Sequence, residues 1–153
     1  MNLPLALRIR HVRRHFGANM VLLLFMVISS SLSASKFTMN LRSCPDKPNC
    51  VCSLAENKRH GIAPLQFSGA SDKAWEKLKM ILASQKNIRI VEASGDYLRV
   101  EARSRLFRFV DDMEFVLVPD ERLIQFRSGA QRGYTDFGVN RRRMESIRRQ
   151  FQK

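Results

Sequence analysis

The residues with the most chemical potential fall in one broken stretch, SCPDKPNCVCSLAENKRHG, residues 43–61, which holds Cys44, Cys50, Cys52 and His60. Three thiols and an imidazole are the donor types that Zn²⁺ or Cu⁺ prefers. Their spacing, C-x5-C-x-C-x7-H, lacks the paired C-x2-C knuckles of common zinc modules. In an oxidising compartment the same residues read as a disulfide, and a redox pair is a third reading. A bridge from Cys44 to Cys50 closes a loop already stiffened by Pro45 and Pro48, so chain entropy supplies only about 2–3 kcal/mol. Cys52 is then left as a free thiol or as a cross-link to another chain. The structural disulfide is the expectation, with no cofactor, and a metal site at Cys44, Cys50, Cys52 and His60 is the alternative.

Compartment therefore comes next. Arg8, Arg10, Arg13 and Arg14, without an acid among them, precede the apolar run Met20-Val-Leu-Leu-Leu-Phe-Met-Val-Ile28 and a small polar tail ending at Ser35. That order is the pattern of a secretory signal peptide. The run is nine residues long, whereas a helix needs roughly 20 to cross the hydrocarbon core, so an uncleaved anchor is the weaker reading. Arg13-Arg-His-Phe16 matches only part of a twin-arginine signal, which favours the general export route. The chain is thus read as residues 1–35 signal peptide, 36–60 cysteine-containing segment and 61–153 α+β domain, the last two forming one domain. The expected location is the periplasm or cell envelope, with inner-membrane anchoring the alternative.

The charge balance is strongly basic: 27 Lys and Arg against 14 Asp and Glu, and still 23 against 14 without the leader arginines. In the cytosol such an excess raises nucleic acid as a partner. An exported chain meets lipid phosphates, wall polymers or acidic proteins instead, so no nucleic acid is expected. Six basic residues and one acid lie between Arg141 and Lys153. They read either as a solvated helix face or as a peripheral membrane contact.

The elements that position these groups are legible from periodicity. Pro64 makes residues 61–67 a short extended stretch. Residues 71–84 place Ala74, Leu78, Ile81 and Leu82 on one helical stripe, with Ser71 available as N-cap and Trp75 at the edge of the core. Residues 87–93 and 97–103 flank Ser94-Gly-Asp96 as a hairpin, and 112–118 and 122–128 form a second around Pro119-Asp-Glu121. After a polar loop, residues 139–151 turn Met144, Ile147 and Phe151 inward on a second helix. The order predicts a two-layer α+β fold: an antiparallel sheet of about four to five strands with two helices packed on one face.

Three blocks, CPDKPNCVCS, FRFVDDMEF and RSGAQRGYTDFGVNRRRMESIR, in this order and spacing, resemble the signature of the domain of unknown function 1499 family over residues 41–151. That pattern is similar to Cys-Pro-x-x-Pro-Asn-Cys-Val-Ser-Ser, so Cys44 and Cys50 match while Cys52 stands where the family usually has serine. The resemblance supports a Cys44 to Cys50 pair, weakens any site that requires Cys52, and implies no biochemical activity.

Within these blocks, period two puts Asp111 on the side of Phe115 and Leu117, where a bare carboxylate is expensive. Arg127, Arg132 and Arg141 are the available partners. Asp136 is placed to cap the final helix, with Asn140 and Arg141 in its first turns. These six residues read as an anion pocket or as a closed salt-bridge network. Asp112 and Glu114 share a face that looks solvated. No nucleophile elbow, phosphate-cradling loop or His-Glu-x-x-His occurs, and two of the three histidines, His11 and His15, lie in the leader. The expected function is therefore a non-catalytic binding or accessory domain for an anionic envelope component or protein. The alternative is a small hydrolase acting on an envelope substrate through Asp111 and the Arg127/Arg132 cluster.

Overall fold

Alternation of apolar and polar residues decides the middle of the chain. In the computed structural model, which describes residues 41–104 and 109–153, strand β3 (Ile88–Ser94) turns back into β4 (Tyr97–Arg103), and β5 (Val110–Val118) into β6 (Leu123–Ala130). Leu98, Val100 and Ala102 of β4 are fully buried, while Tyr97, Arg99 and Glu101 between them are half-buried. Two short strands, β1 (Cys50–Cys52) and β2 (Leu65–Gln66), complete a single antiparallel sheet. Helices α1 (Ser71–Ala83) and α2 (Val139–Phe151) make the arrangement α+β. The leader and its apolar run lie outside the described residues.

The strand order is β1-β6-β5-β4-β3. Because β5 occupies one edge of β6 throughout, β1 and β2 share the other: Cys50 pairs with Gly129 and Cys52 with Arg127, while Leu65 pairs with Ile124. β1 falls in the segment read from sequence as a loop; three residues between prolines carry too little periodicity to announce a strand.

Both helices pack on the face formed by Leu98, Val100, Met113, Phe115, Ile124 and Phe126. α1 contributes Ala74, Trp75, Leu78 and Leu82, and α2 contributes Met144, Ile147 and Phe151. Trp75 also donates its Nε1–H to the carbonyl of Gly95 at 3.2 Å, tying α1 to the β3–β4 turn. Gly95 sits at φ 52° in that two-residue turn, a conformation that needs no Cβ.

The helix starts differ from expectation. Ser71 is the first residue of α1 rather than its cap; Ala70 occupies the cap position and no side chain bonds the free N–H groups. At α2 the cap position is Gly138 at φ 74°. Asp136 supplies the acceptors from two residues upstream, Oδ1 to Gly138 N–H at 2.9 Å and Oδ2 to Asn140 N–H at 2.7 Å.

Candidate functional site

Strand alternation divides the expected polar cluster. Asp111 pairs with Ala130 on the helix face of the sheet, while Arg127, one residue from buried Ser128, points to the opposite face. None of Arg127, Arg132 and Arg141 pairs with Asp111. The partner is Arg143, whose NH2 donates to Asp111 Oδ2 at 2.6 Å. Arg143 is three residues after Asn140, so both lie on the inward side of α2. Its NH1 donates to Asn140 Oδ1 at 2.9 Å, and the Ser128 hydroxyl donates to the same oxygen at 2.5 Å. Asn140 Nδ2 donates to Asp136 Oδ2 at 2.9 Å and to the Asn49 carbonyl at 3.3 Å. A buried amide has two donor and two main acceptor directions, and Asn140 fills all four. Asp111, Asp136 and Asn140 therefore form, with Arg143, a saturated junction joining α2, β5, β6 and the segment before β1.

The other face of the sheet carries a second polar group that sequence reading took for solvated. Asp112, Glu114 and Arg127 are all more than nine-tenths buried. Arg42, from the segment before Cys44, crosses this face: its Nε donates to Glu114 Oε1 at 2.9 Å and its NH2 lies 3.5 Å from Asp112 Oδ2. Gln131 Nε2 donates to Asp112 Oδ1 at 3.0 Å, and the Tyr97 hydroxyl donates to Glu114 Oε1 at 3.1 Å. Arg127 stands 3.8 Å from Glu114 Oε2 and donates to the Ser43 carbonyl at 3.4 Å. Burial, then the neighbouring Arg42 charge, lowers the Arg127 pKa. Burial and the Glu114 carboxylate push the Tyr97 phenol up to about 12.

With Asp111 and Arg127 on opposite faces and Arg132 exposed on the β6–α2 loop, the constellation assigned to a hydrolase is not assembled. Part of the basic tail is likewise engaged. Arg141 donates to the carbonyls of Gly61 and Arg59, and Arg148 to those of Pro64 and Ala63 and to Glu145. These two arginines, seven residues apart on one side of α2, stitch segment 59–64 to the helix. Arg142 binds the Phe137 carbonyl at 2.8 Å.

The cysteine stretch forms a disulfide between Cys44 and Cys50, which uses two of the sulfurs that a metal site needs. His60 turns Nδ1 to the Cys50 carbonyl at 2.9 Å. Among the described residues no three His, Cys, Asp or Glu side chains are placed to hold a metal ion. Cys52 keeps its thiol but is buried, which withholds it from a cross-link between chains in this fold.

Positive charge without a carboxylate partner gathers elsewhere. The start of α1, the end of α2 and the β2–α1 connection enclose a cleft of about 570 Å³ lined by Lys73, Lys77 and Lys153 with Phe67, Phe151 and Ser68. No Asp or Glu side chain lines it. Lys73 and Lys77 are four residues apart on one helix face, a like-charge spacing that disfavours an isolated helix. Lys77 Nζ lies over the Phe151 ring, 5.6 Å from its centroid. Sequence reading passed over this site because its lysines come from elements nearly eighty residues apart; the Lys73/Lys77 spacing was its only local trace.

Among the described residues no helix is long and apolar enough to cross a membrane. No curated protein and no solved structure matches the chain. The family model described as "Protein of unknown function (DUF1499)" matches residues 40–151, a span covering the disulfide loop, the sheet and both helices, and the chain belongs to that family.

Proposed function

We propose that this protein is an exported, non-catalytic binding domain of the cell envelope whose ligand is an anionic envelope component seated in the Lys73/Lys77/Lys153 cleft. The observation that carries the reading is the lining itself: three lysines line one cleft with no Asp or Glu side chain among them. Elsewhere on the domain, acids stand beside the basic residues. Asp46, Glu76, Glu92, Glu101, Asp111, Asp112, Glu114 and Glu145 all have cationic partners. The cleft has the size of a small-ligand site. Its lysines supply point charges suited to phosphate or carboxylate, and Phe67 and Phe151 supply an apolar floor. The Cys44–Cys50 bond fits an oxidising compartment and so supports export. The same clustering argues for binding over hydrolysis, because the lining holds no Asp, Glu or His side chain to act as the usual general base.

Calorimetric titration with inorganic pyrophosphate tests the reading. The full chain should bind with an affinity that falls as salt rises, and Lys73→Gln with Lys77→Gln should weaken it at least about tenfold, two lost charge contacts each being worth about 1 kcal/mol or more. Equal binding by wild type and the double variant would refute the cleft. Intact mass of the chain recovered from the envelope fraction tests export: a product lacking residues 1–35 is expected, and a full-length cytosolic product would contradict it.

A further inference from the structure

At the opposite end of α2 from the lysine cleft, the β6–α2 loop holds two aromatic residues in solvent. Phe137 is 83% exposed and Tyr134 65% exposed, and Val139 beside them is also exposed. Phe137 has φ 51°, a left-handed conformation that a bulky L-residue adopts only when its surroundings impose it.

The surroundings do impose it. Asn49 Nδ2 donates to the Gly133 carbonyl, Thr135 Oγ1 accepts from Phe137 N–H, and Arg142 NH1 donates to the Phe137 carbonyl. Asp136, fixed by Gly138 N–H and by Asn140, anchors the far side. Folding free energy is thus used to keep a phenyl ring out of the core.

The charge around the rings is one-sided. Arg132 and Arg142 are exposed, and Arg132 has no ion pair among the described residues. The one acid in the loop, Asp136, spends both carboxylate oxygens on the start of α2. Exposed aromatic rings flanked by guanidinium groups complement an anionic bilayer surface: the rings enter the interfacial region and the arginines meet lipid phosphates.

We propose that the loop around Tyr134 and Phe137 is a membrane-docking tip that inserts its aromatic rings into the interface of an anionic lipid bilayer. The contact does not depend on the lysine cleft. A thirteen-residue α2 rising about 1.5 Å per residue separates the two by roughly 18 Å.

The test uses the full chain carrying Tyr134→Trp and vesicles of brominated phosphatidylglycerol mixed with phosphatidylcholine. The introduced indole should be quenched, while Trp75, buried in the core, stays bright. Any binding by the leader is common to all variants and leaves this local readout unmoved. Phe137→Gly, added to that chain, relieves the left-handed backbone and removes the ring. It should keep or raise the thermal midpoint while vesicle affinity, read by the same quenching, falls about tenfold, as expected for losing one buried aromatic side chain. Unquenched Tyr134→Trp fluorescence, or unchanged affinity in Phe137→Gly, would overturn the proposal. Equal quenching on pure phosphatidylcholine would also overturn it, since the arginines would then contribute nothing. A concentration-dependent rise in mass that Phe137→Gly abolishes, without quenching, would assign the tip to a second copy of the chain instead.

Discussion

Replacing Asn140 with alanine removes four hydrogen bonds from a residue that is only 1% exposed. Two of them, from the Ser128 hydroxyl and to the Asn49 carbonyl, join neutral groups, each worth about 1 kcal/mol. The other two join Arg143 and Asp136, and bonds to charged groups are worth about 1.5–3 kcal/mol each. The full sum overstates the loss. Arg143 retains Asp111, Asp136 retains two backbone N–H groups, and alanine is the better helix former by about 0.5 kcal/mol. We expect about 3–4 kcal/mol by urea unfolding, a large share of the 5–15 kcal/mol typical of a domain. Ser128→Ala should cost less alone, and the pair should show a coupling of at least about 1 kcal/mol, since both side chains meet at one oxygen. Lys73→Ala, in the cleft, serves as a control and should leave stability within about 0.5 kcal/mol. An Asn140→Ala cost below about 1 kcal/mol, additive with Ser128→Ala, would refute the closed junction and return these side chains to the pool of ligand-binding candidates.

Three further outcomes follow from the same structure. Removing the disulfide with Cys44→Ser and Cys50→Ser should lower unfolding free energy by about 2 kcal/mol, because the bridge spans only six residues of sequence; a loss above about 4 kcal/mol would mean that it holds more than a local turn. In a Tyr134→Phe background, absorbance titration should show Tyr97 ionising near pH 12, with Glu114→Gln lowering the midpoint. The folded phenol keeps its proton after the unfolded one has lost it near pH 10, so this group's contribution is intact below that pH and is lost as pH rises toward 12; a midpoint at about 10 would contradict the Tyr97–Glu114 contact. Arg148→Ala frees the carbonyls of Ala63 and Pro64, so amide exchange in segment 59–65 should speed up about tenfold while β4 and β5 stay protected; unchanged exchange would show that Arg148 does not pin the segment.

The sheet and helices were legible because their periods are clean. Leu98, Val100 and Ala102 alternate with polar residues, and Met144, Ile147 and Phe151 recur at helical spacing, so each face follows from local sequence. β1 was hidden because Cys50–Cys52 becomes a strand only by pairing with residues 127–129, a contact that no local pattern encodes. The partner of Asp111 was missed for a similar reason. Arg127, Arg132 and Arg141 were the candidates, yet Arg143 is the arginine that shares the inward side of α2 with Asn140, and only the packing of α2 over β6 and β1 brings it to the carboxylate on neighbouring β5. Period two did place Asp112 and Glu114 on the second face, but whether that face is wet depended on Arg42, some seventy residues earlier in the chain. Arg141 and Arg148 of the basic tail looked free because sequence shows the charges and not the carbonyls of residues 59–64 that they meet.

The most direct measurement of the central claim is a map of backbone amide shifts during titration of the labelled chain with inorganic pyrophosphate. The account predicts saturable shifts confined to residues 66–68, 73–77 and 151–153, the walls of the lysine cleft, that vanish in Lys73→Gln with Lys77→Gln. Shifts centred on Arg127, Arg132 or Arg141, or small unsaturable shifts spread over every basic residue, would contradict it.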